Sequence, residues 1–349
     1  MHFRRFAKSE ARESPLYSAL ARAAAEDDEV LRLLLVAAPR QQRPMLLFAA
    51  VQSLLVDGTQ HELVRYYPNL VEHPAIPEEA YPAFKDFCAR NRRELEAIIA
   101  THATQTNEVR RCTTLLVGLD RIRRSLDGGP VALIEVGASA GLLLNPDRYA
   151  YRYGGGEVLV DPESPVLLEC EVRGPHAAVP ELDSPTITRR IGIDLQPLDA
   201  RDPPSVRWLE ACVWPEHHER RVLLQAALEA ARRYPVELIA GDALEVLPGV
   251  LEALDDDVVP VVMHSATLAY FTPEERQRFE AILREAARRR PLYWLSNEGP
   301  GAVPALGLEP DRAWIAMALG LCKVHERECE VLARAHPHGR WLHPLLDLT

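Results

Sequence analysis

Cysteine is scarce and badly placed for a metal. The six thiols, Cys88, Cys112, Cys170, Cys212, Cys322 and Cys329, form no C-x-x-C pair, which argues against a zinc ribbon. No His, Cys and acid grouping has ligand spacing either. Scattered thiols point to a reducing compartment. Long hydrophobic runs are also missing. The longest, Met45 to Val56, contains Gln52 and Ser53 and is too short to cross a bilayer. Lysine is nearly absent (Lys8, Lys85 and Lys323 only), and the formal net charge is −11. Binding to phosphate rests on Lys and Arg, so nucleic acid and anionic membrane are poor partners. The local run Arg288-Arg289-Arg290 suits a helix C-terminus, where cations complement the dipole. The opening Met1-His2-Phe3-Arg4-Arg5 lacks the apolar core of a secretion signal. A soluble, cytoplasmic protein is the expectation.

What is present is a core. The chain has 349 residues, 47% of them hydrophobic, enough for one large domain or two ordinary ones. Residues 1–127 read as helices with Pro or Gly stops. These lie near Ser9–Ala25, Leu31–Val36, Gln41–Val56, Pro77–Thr101 and Glu108–Leu126, with no convincing strand. That region is expected to be an all-helical N-terminal cap domain. From residue 128 short apolar runs alternate with helices, the pattern of βαβ units and a parallel sheet. The expected strands are 131–136, 187–193, 236–240, 258–264 and 291–297. The expected helices are 203–213, 216–233, 243–254 and 273–290. Trp314–Cys322 and Cys329–Ala335 read as a closing pair of strands, and about 149–186 as an inserted hairpin and loop.

The stretch that organises the second half is Val131-Ala132-Leu133-Ile134-Glu135-Val136-Gly137-Ala138-Ser139-Ala140-Gly141-Leu142. A buried strand runs into a glycine-bounded turn of small residues that is expected to open a helix, a ligand cradle at the carboxyl end of a sheet. The dinucleotide fingerprint G-x-G-x-x-G fails here, because Ser139 and Leu142 stand at its second and third glycines. Gly137 to Gly141 does fit G-x-S-x-G, the nucleophile elbow of α/β-hydrolases. It also fits E-x-G-x-S-x-G, which resembles the first motif of class I S-adenosylmethionine-dependent methyltransferases.

Later strands answer the methyltransferase pattern in order. Arg190-Ile191-Gly192-Ile193-Asp194 ends in an acid. Glu237-Leu238-Ile239-Ala240-Gly241-Asp242-Ala243 has the G-D-A form of that superfamily, and Val261-Val262-Met263-His264-Ser265 ends in polar residues. One spacing departs: Gly141 to Asp194 far exceeds the roughly 20 residues usual between glycine loop and ribose acid, and the insert accounts for it. An elbow serine normally follows several earlier strands, and none is read before Val131. A triad of Ser139, Asp242 and His264 or His336 stays open as an alternative. So does a non-catalytic sensor of S-adenosylmethionine or a nucleotide.

Nearly the whole chain is similar to an uncharacterised bacterial domain-of-unknown-function family with a methyltransferase-like Rossmann domain. The likeness rests on Gln105-Thr106-Asn107-Glu108, the Glu135–Leu142 turn, Asp147-Arg148-Tyr149, Gly192-Ile193-Asp194-Leu195, Trp214-Pro215-Glu216 and Pro337-His338-Gly339-Arg340-Trp341. The family brings no established activity. The resemblances imply an α/β fold with a Rossmann-like, mostly parallel sheet, helices on both faces, and S-adenosylmethionine as cofactor. Glu135, Gly137, Ser139 and Gly141 would hold its methionine end, Asp194 the ribose, and Asp242 with Ala243 the adenine. His264 would be the base, since a neutral imidazole suits proton removal. Asn107, Glu108, Tyr149, Tyr151 and His338 would face a small-molecule acceptor. Each has a plainer reading. Acids at strand ends cap helices, alternating tyrosines share one packed face, and His336-Pro337-His338-Gly339 makes a turn. A homodimer stays open.

Overall fold

The computed structural model describes residues 2–8, 10–174, 181–309 and 316–346. The chain divides into two compact units, Met1–Thr106 with Arg201–Val222, and Asn107–Ala200 with Leu223–Thr349. The first division therefore falls before Asn107 and not at residue 127, and a later segment returns to the helical unit.

The first unit contains no strand among its described residues. It carries α1 (His2–Lys8), α2 (Pro15–Ala24), α3 (Asp28–Arg32), α4 (Pro44–Val56), α5 (Tyr81–Arg90) and α6 (Arg92–Thr101). After the chain has made α7 (Cys112–Ser125) in the second unit, it returns for α8 (Pro203–Ala211). Two expected helices are broken. Of the Ser9–Ala25 helix, Ser9 lies outside the described residues, and Ser14 is extended at φ −130°, ψ 95°. The residue before a proline is pushed out of the helical region, so α2 begins at Pro15 with the Ser14 hydroxyl accepting from Tyr17 N at 3.1 Å. The Pro77–Thr101 helix splits at Asn91, whose amide donates back to Phe87 O at 2.9 Å. The Trp214-Pro215-Glu216 motif also finds a structural role. Glu216 accepts from Ser14 Oγ at 2.7 Å and from Leu16 N at 2.9 Å, capping α2 from 200 residues away.

Helix α9 (His218–Arg233) leads back to the second unit. There the strands are β1 (Val131–Val136), β2 (Ala150–Tyr153), β3 (Val158–Val160), β4 (Leu167–Val172), β5 (Ile187–Asp194), β6 (Glu237–Ala240), β7 (Val259–Ser265), β8 (Tyr293–Glu298), β9 (Met317–Lys323), β10 (Glu328–Ala335) and β11 (Trp341–Pro344). Helix α10 (Ala243–Glu252) follows β6, and α11 (Pro273–Ala286) follows β7. One mixed, mostly parallel sheet runs β3-β2-β4-β11-β10-β9-β8-β7-β1-β5-β6. The five expected strands lie together as β8-β7-β1-β5-β6, all parallel. The first is central, the second and third lie on one side, and the fourth and fifth on the other. The insert forms the β2–β3 hairpin, and β4 joins it to the sheet through β11. Trp314 lies outside the described residues, and the closing pair begins at Met317.

Alternation along the strands sorts the two faces. Ala132, Ile134, Val136, Val262, Trp294 and Phe279 pack together on the face covered by α10 and α11. The other face lies under α7, where a side chain at Gly118 would collide with Leu295 of β8. That close approach explains why α7 belongs to the sheet unit.

Two further expectations are corrected. No helix opens after Gly141. The chain makes one 3₁₀ turn, Leu142–Leu144, and Pro146, which has no N–H to continue a helix, begins the next at Pro146–Arg148. The cysteines are not all unpaired. The β9–β10 hairpin sets Cys322 opposite Cys329, and the two form a disulfide. Cys88, Cys112, Cys170 and Cys212 are free and buried.

Candidate functional site at the end of strand β1

The site lies where the strand order reverses. Strands β5 and β7 flank β1, and their onward connections run in opposite directions, the topological position at which open α/β sheets bind ligands. The turn there has three left-handed residues in five: Gly137 at φ 78°, Ser139 at 51° and Gly141 at 69°. Glycine is needed twice. A side chain at Gly137 would collide with Thr267, and one at Gly141 would stand 2.6 Å from Val236 Cγ2. Ser139 has no such freedom, and its conformation costs on the order of 1–3 kcal/mol.

Hydrogen bonds hold Ser139 in place. Its N–H donates to Asp194 Oδ2 at 2.8 Å, its carbonyl accepts from Leu198 N at 3.1 Å, and its hydroxyl accepts from Asn107 Nδ2. Asn107 also accepts from Ala140 N at 3.3 Å. The other Asp194 oxygen accepts from Gln196 N at 2.9 Å. Asn107, Ser139 and Asp194 thus form one connected cluster. Leu195, just past the acid, is an apolar side chain left 74% exposed.

Behind the turn sits Glu135, 2% exposed. Its Oε2 is buried without a hydrogen-bond partner. Burial pushes its pKa well above the usual carboxylate range. The Asp194 charge pushes the same way, and Arg111 opposes both. Arg111 is itself buried, with Nε donating to Pro337 O at 2.9 Å and Nη1 to Ser265 O at 3.2 Å. On the same face, further along the sheet, Asn297 Nδ2 donates to Ser265 Oγ at 3.0 Å. Glu108 is buried, and His338 Nδ1 lies 3.5 Å from its Oε2. The Pro337–Arg340 turn is seated against the start of α7. A side chain at Gly339 would collide with the Arg110 carbonyl, and Thr113 Oγ1 donates to Gly339 O at 3.1 Å.

Residues 1–343 match a family described as uncharacterised proteins conserved in bacteria (DUF2332). The chain belongs to that family. No curated protein matches it. In this family member no helix among the described residues is long and apolar enough to cross a membrane, and no group of three or more metal-ligating side chains occurs among them.

The remaining candidates lie apart from Glu135. Asp242 caps α10, its Oδ1 accepting from Leu244 N at 2.8 Å. It stays close to Asp194, because Gly241 N donates to Asp194 O at 2.9 Å. Ala243 is buried in the α10 face of the core. His264 faces away from Glu135, toward α11, with Phe279 against its ring. Trp294 Nε1 donates to His264 Nε2 at 2.7 Å, and His264 Nδ1 stands 2.8 Å from Glu298 Oε1. An indole N–H only donates, so Nε2 carries the lone pair and Nδ1 the proton. Both ring nitrogens are engaged, and no lone pair is left to take a substrate proton.

Tyr149, Tyr151 and Tyr153 are fully buried. Their hydroxyls donate to the carbonyls of Leu142, Pro146 and Thr113 at 2.7, 2.7 and 2.6 Å. Asp147 holds Arg190 of β5 through two 2.7 Å contacts. Sequence reasoning missed Arg111, Leu195, Asn297 and Glu298. The last two close an apolar strand as Glu135 does, and that shared ending was the available signal.

Proposed function

We propose that the second unit binds S-adenosylmethionine and transfers its methyl group to a small-molecule acceptor. The observation that carries this reading is the unpartnered, buried Oε2 of Glu135 beneath a glycine turn at the point where the parallel strand order reverses. A buried acceptor without a donor is costly, and a ligand ammonium would satisfy it. The exposed face of Leu195 suits an adenine ring, and Asp194 beside it has lone pairs left for ribose hydroxyls. Gly137 and Gly141 let the backbone approach closely. No helix N-terminus supports the turn, unlike a standard nucleotide cradle.

Bound there, the cofactor supplies an electrophilic methyl on a sulfonium. The chain's part is positioning. Glu135 anchors the ammonium, Asp194 the ribose, and the Asn107–Ser139 clamp fixes the turn between them. His264 has no place in this mechanism. The hydrolase alternative has less support, because the Ser139 hydroxyl meets Asn107 and His264, one of the two histidines named for its triad, faces α11.

Calorimetric titration with S-adenosylmethionine and S-adenosylhomocysteine tests the proposal, on the wild type and on Asp194→Asn. The expected result is micromolar binding that the variant weakens at least tenfold. Folded wild type that binds neither ligand overturns the reading.

A further inference from the structure

We infer that Glu135 carries a proton while the site is empty, and that an ammonium-bearing ligand enters by displacing that proton into solvent. This rests on the proposed cofactor reading and adds how the site is regulated. The geometry argues it in three steps. First, the side chain is 2% exposed, and one of its oxygens, Oε2, is buried without a hydrogen-bond partner. Second, the charges around it do not neutralise it. Asp194 on β5 is another acid, Cys112 on α7 and Tyr149 before β2 are kept neutral by burial and bring no positive charge, and the one favourable group is Arg111. Third, Arg111 is committed elsewhere, to the carbonyls of Pro337 and Ser265. For a buried carboxylate with an unpartnered oxygen and an acid as neighbour, neutralisation by a proton is the ordinary outcome.

The exchange balances. A neutral Glu135 carboxyl and a ligand R–NH₃⁺ give a carboxylate–ammonium pair and one proton in the buffer. The same ligand with a free amine would take the proton itself and release none. The measurement therefore belongs near pH 6.5, below the usual range of an α-amino group, about 7.7–8.0. S-Adenosylhomocysteine is the informative probe, because it keeps the ammonium and lacks the sulfonium charge.

Calorimetry of both ligands in two buffers of different ionisation enthalpy counts the protons. The expected result is about one proton released per ligand by the wild type. Because one proton leaves, Kd falls about tenfold for each pH unit between pH 5.5 and 6.5. In Glu135→Gln the release vanishes and Kd becomes flat over that range. Binding with no proton release in the wild type overturns the inference and leaves the cofactor reading standing. Release that persists in Glu135→Gln also overturns it, since the proton then comes from another group. No binding at all overturns both.

Discussion

Glu135 and Glu298 are two buried acids at strand ends of one sheet, each 2% exposed, and they sit on opposite faces. The chain gathers its donors on a single oxygen of one of them, Glu298. Glu298 Oε1 accepts from Thr267 N at 2.7 Å, from Leu268 N at 3.0 Å and from His264 Nδ1 at 2.8 Å. It fixes the loop after β7 that packs on Gly137. Oε2 is buried without a partner in both acids; what Glu135 lacks is the set of three donors that Glu298 gathers on Oε1. A buried acid surrounded by donors from its own chain is a structural part. One left without them is a socket. Burial alone does not separate the two, and neither does position at a strand end; the donors do.

The sharpest way to break this contrast is to remove each acid. Glu298→Ala strands two backbone N–H groups and an imidazole N–H in the interior, at about 1–3 kcal/mol each. Urea denaturation should show a loss of about 3–9 kcal/mol. Unchanged stability would mean that Glu298 is not structural. Glu135→Gln should go the other way. The Glu135 pKa is raised by burial first and by Asp194 second, so the folded state binds the extra proton. The resulting stability is fully present below the unfolded value and is lost as pH rises through the folded one. The amide variant carries no such dependence. Its stability relative to wild type should therefore grow from about pH 4.5 upward, read as melting temperature against pH. A gap that shrinks with pH would refute the assignment.

Smaller effects sharpen the comparison. Trp294→Phe deletes the donor to His264 Nε2 and leaves a small void, at about 1–3 kcal/mol. Adding a fluorophosphonate to the wild type should label nothing at Ser139, and mass spectrometry would show the adduct if the hydrolase reading were right. Ser139→Gly should be close to neutral. It loses the hydroxyl that accepts from Asn107, about 1 kcal/mol, and relieves a left-handed φ. A loss above about 2 kcal/mol would mean that the clamp matters more than the strain.

Much of the sheet was legible in the sequence. Val131–Val136 stands where the apolar run between Pro130 and Gly137 places it, because both flanks are strong breakers. The run Thr272-Pro273-Glu274-Glu275 has the residue types of a helix start, and it forms a capping box in which Thr272 N donates to Glu275 Oε2 at 2.7 Å. What was illegible is long-range. The Asp194 and Ser139 turn was readable as motif, yet its hydrogen bonds were not. The Cys322–Cys329 pair depends on hairpin register, which no spacing rule supplies. The missing helix after Gly141 depends on Pro146, five residues past the glycine that ends the motif. His264 looked available as a base because nothing in the sequence shows that Trp294 and Glu298 both reach it across β8.

Arg111 and Pro337 are joined by one hydrogen bond across 226 residues. Chains are synthesised at about 5–20 residues per second, so at least ten seconds separate the two partners on the ribosome. Until Pro337 emerges, the guanidinium beside Glu135 has one of its two carbonyl anchors missing. The pocket is thus a late product of translation: the acid, the glycine turn and the cation are all made early, and they wait for a turn made long after them.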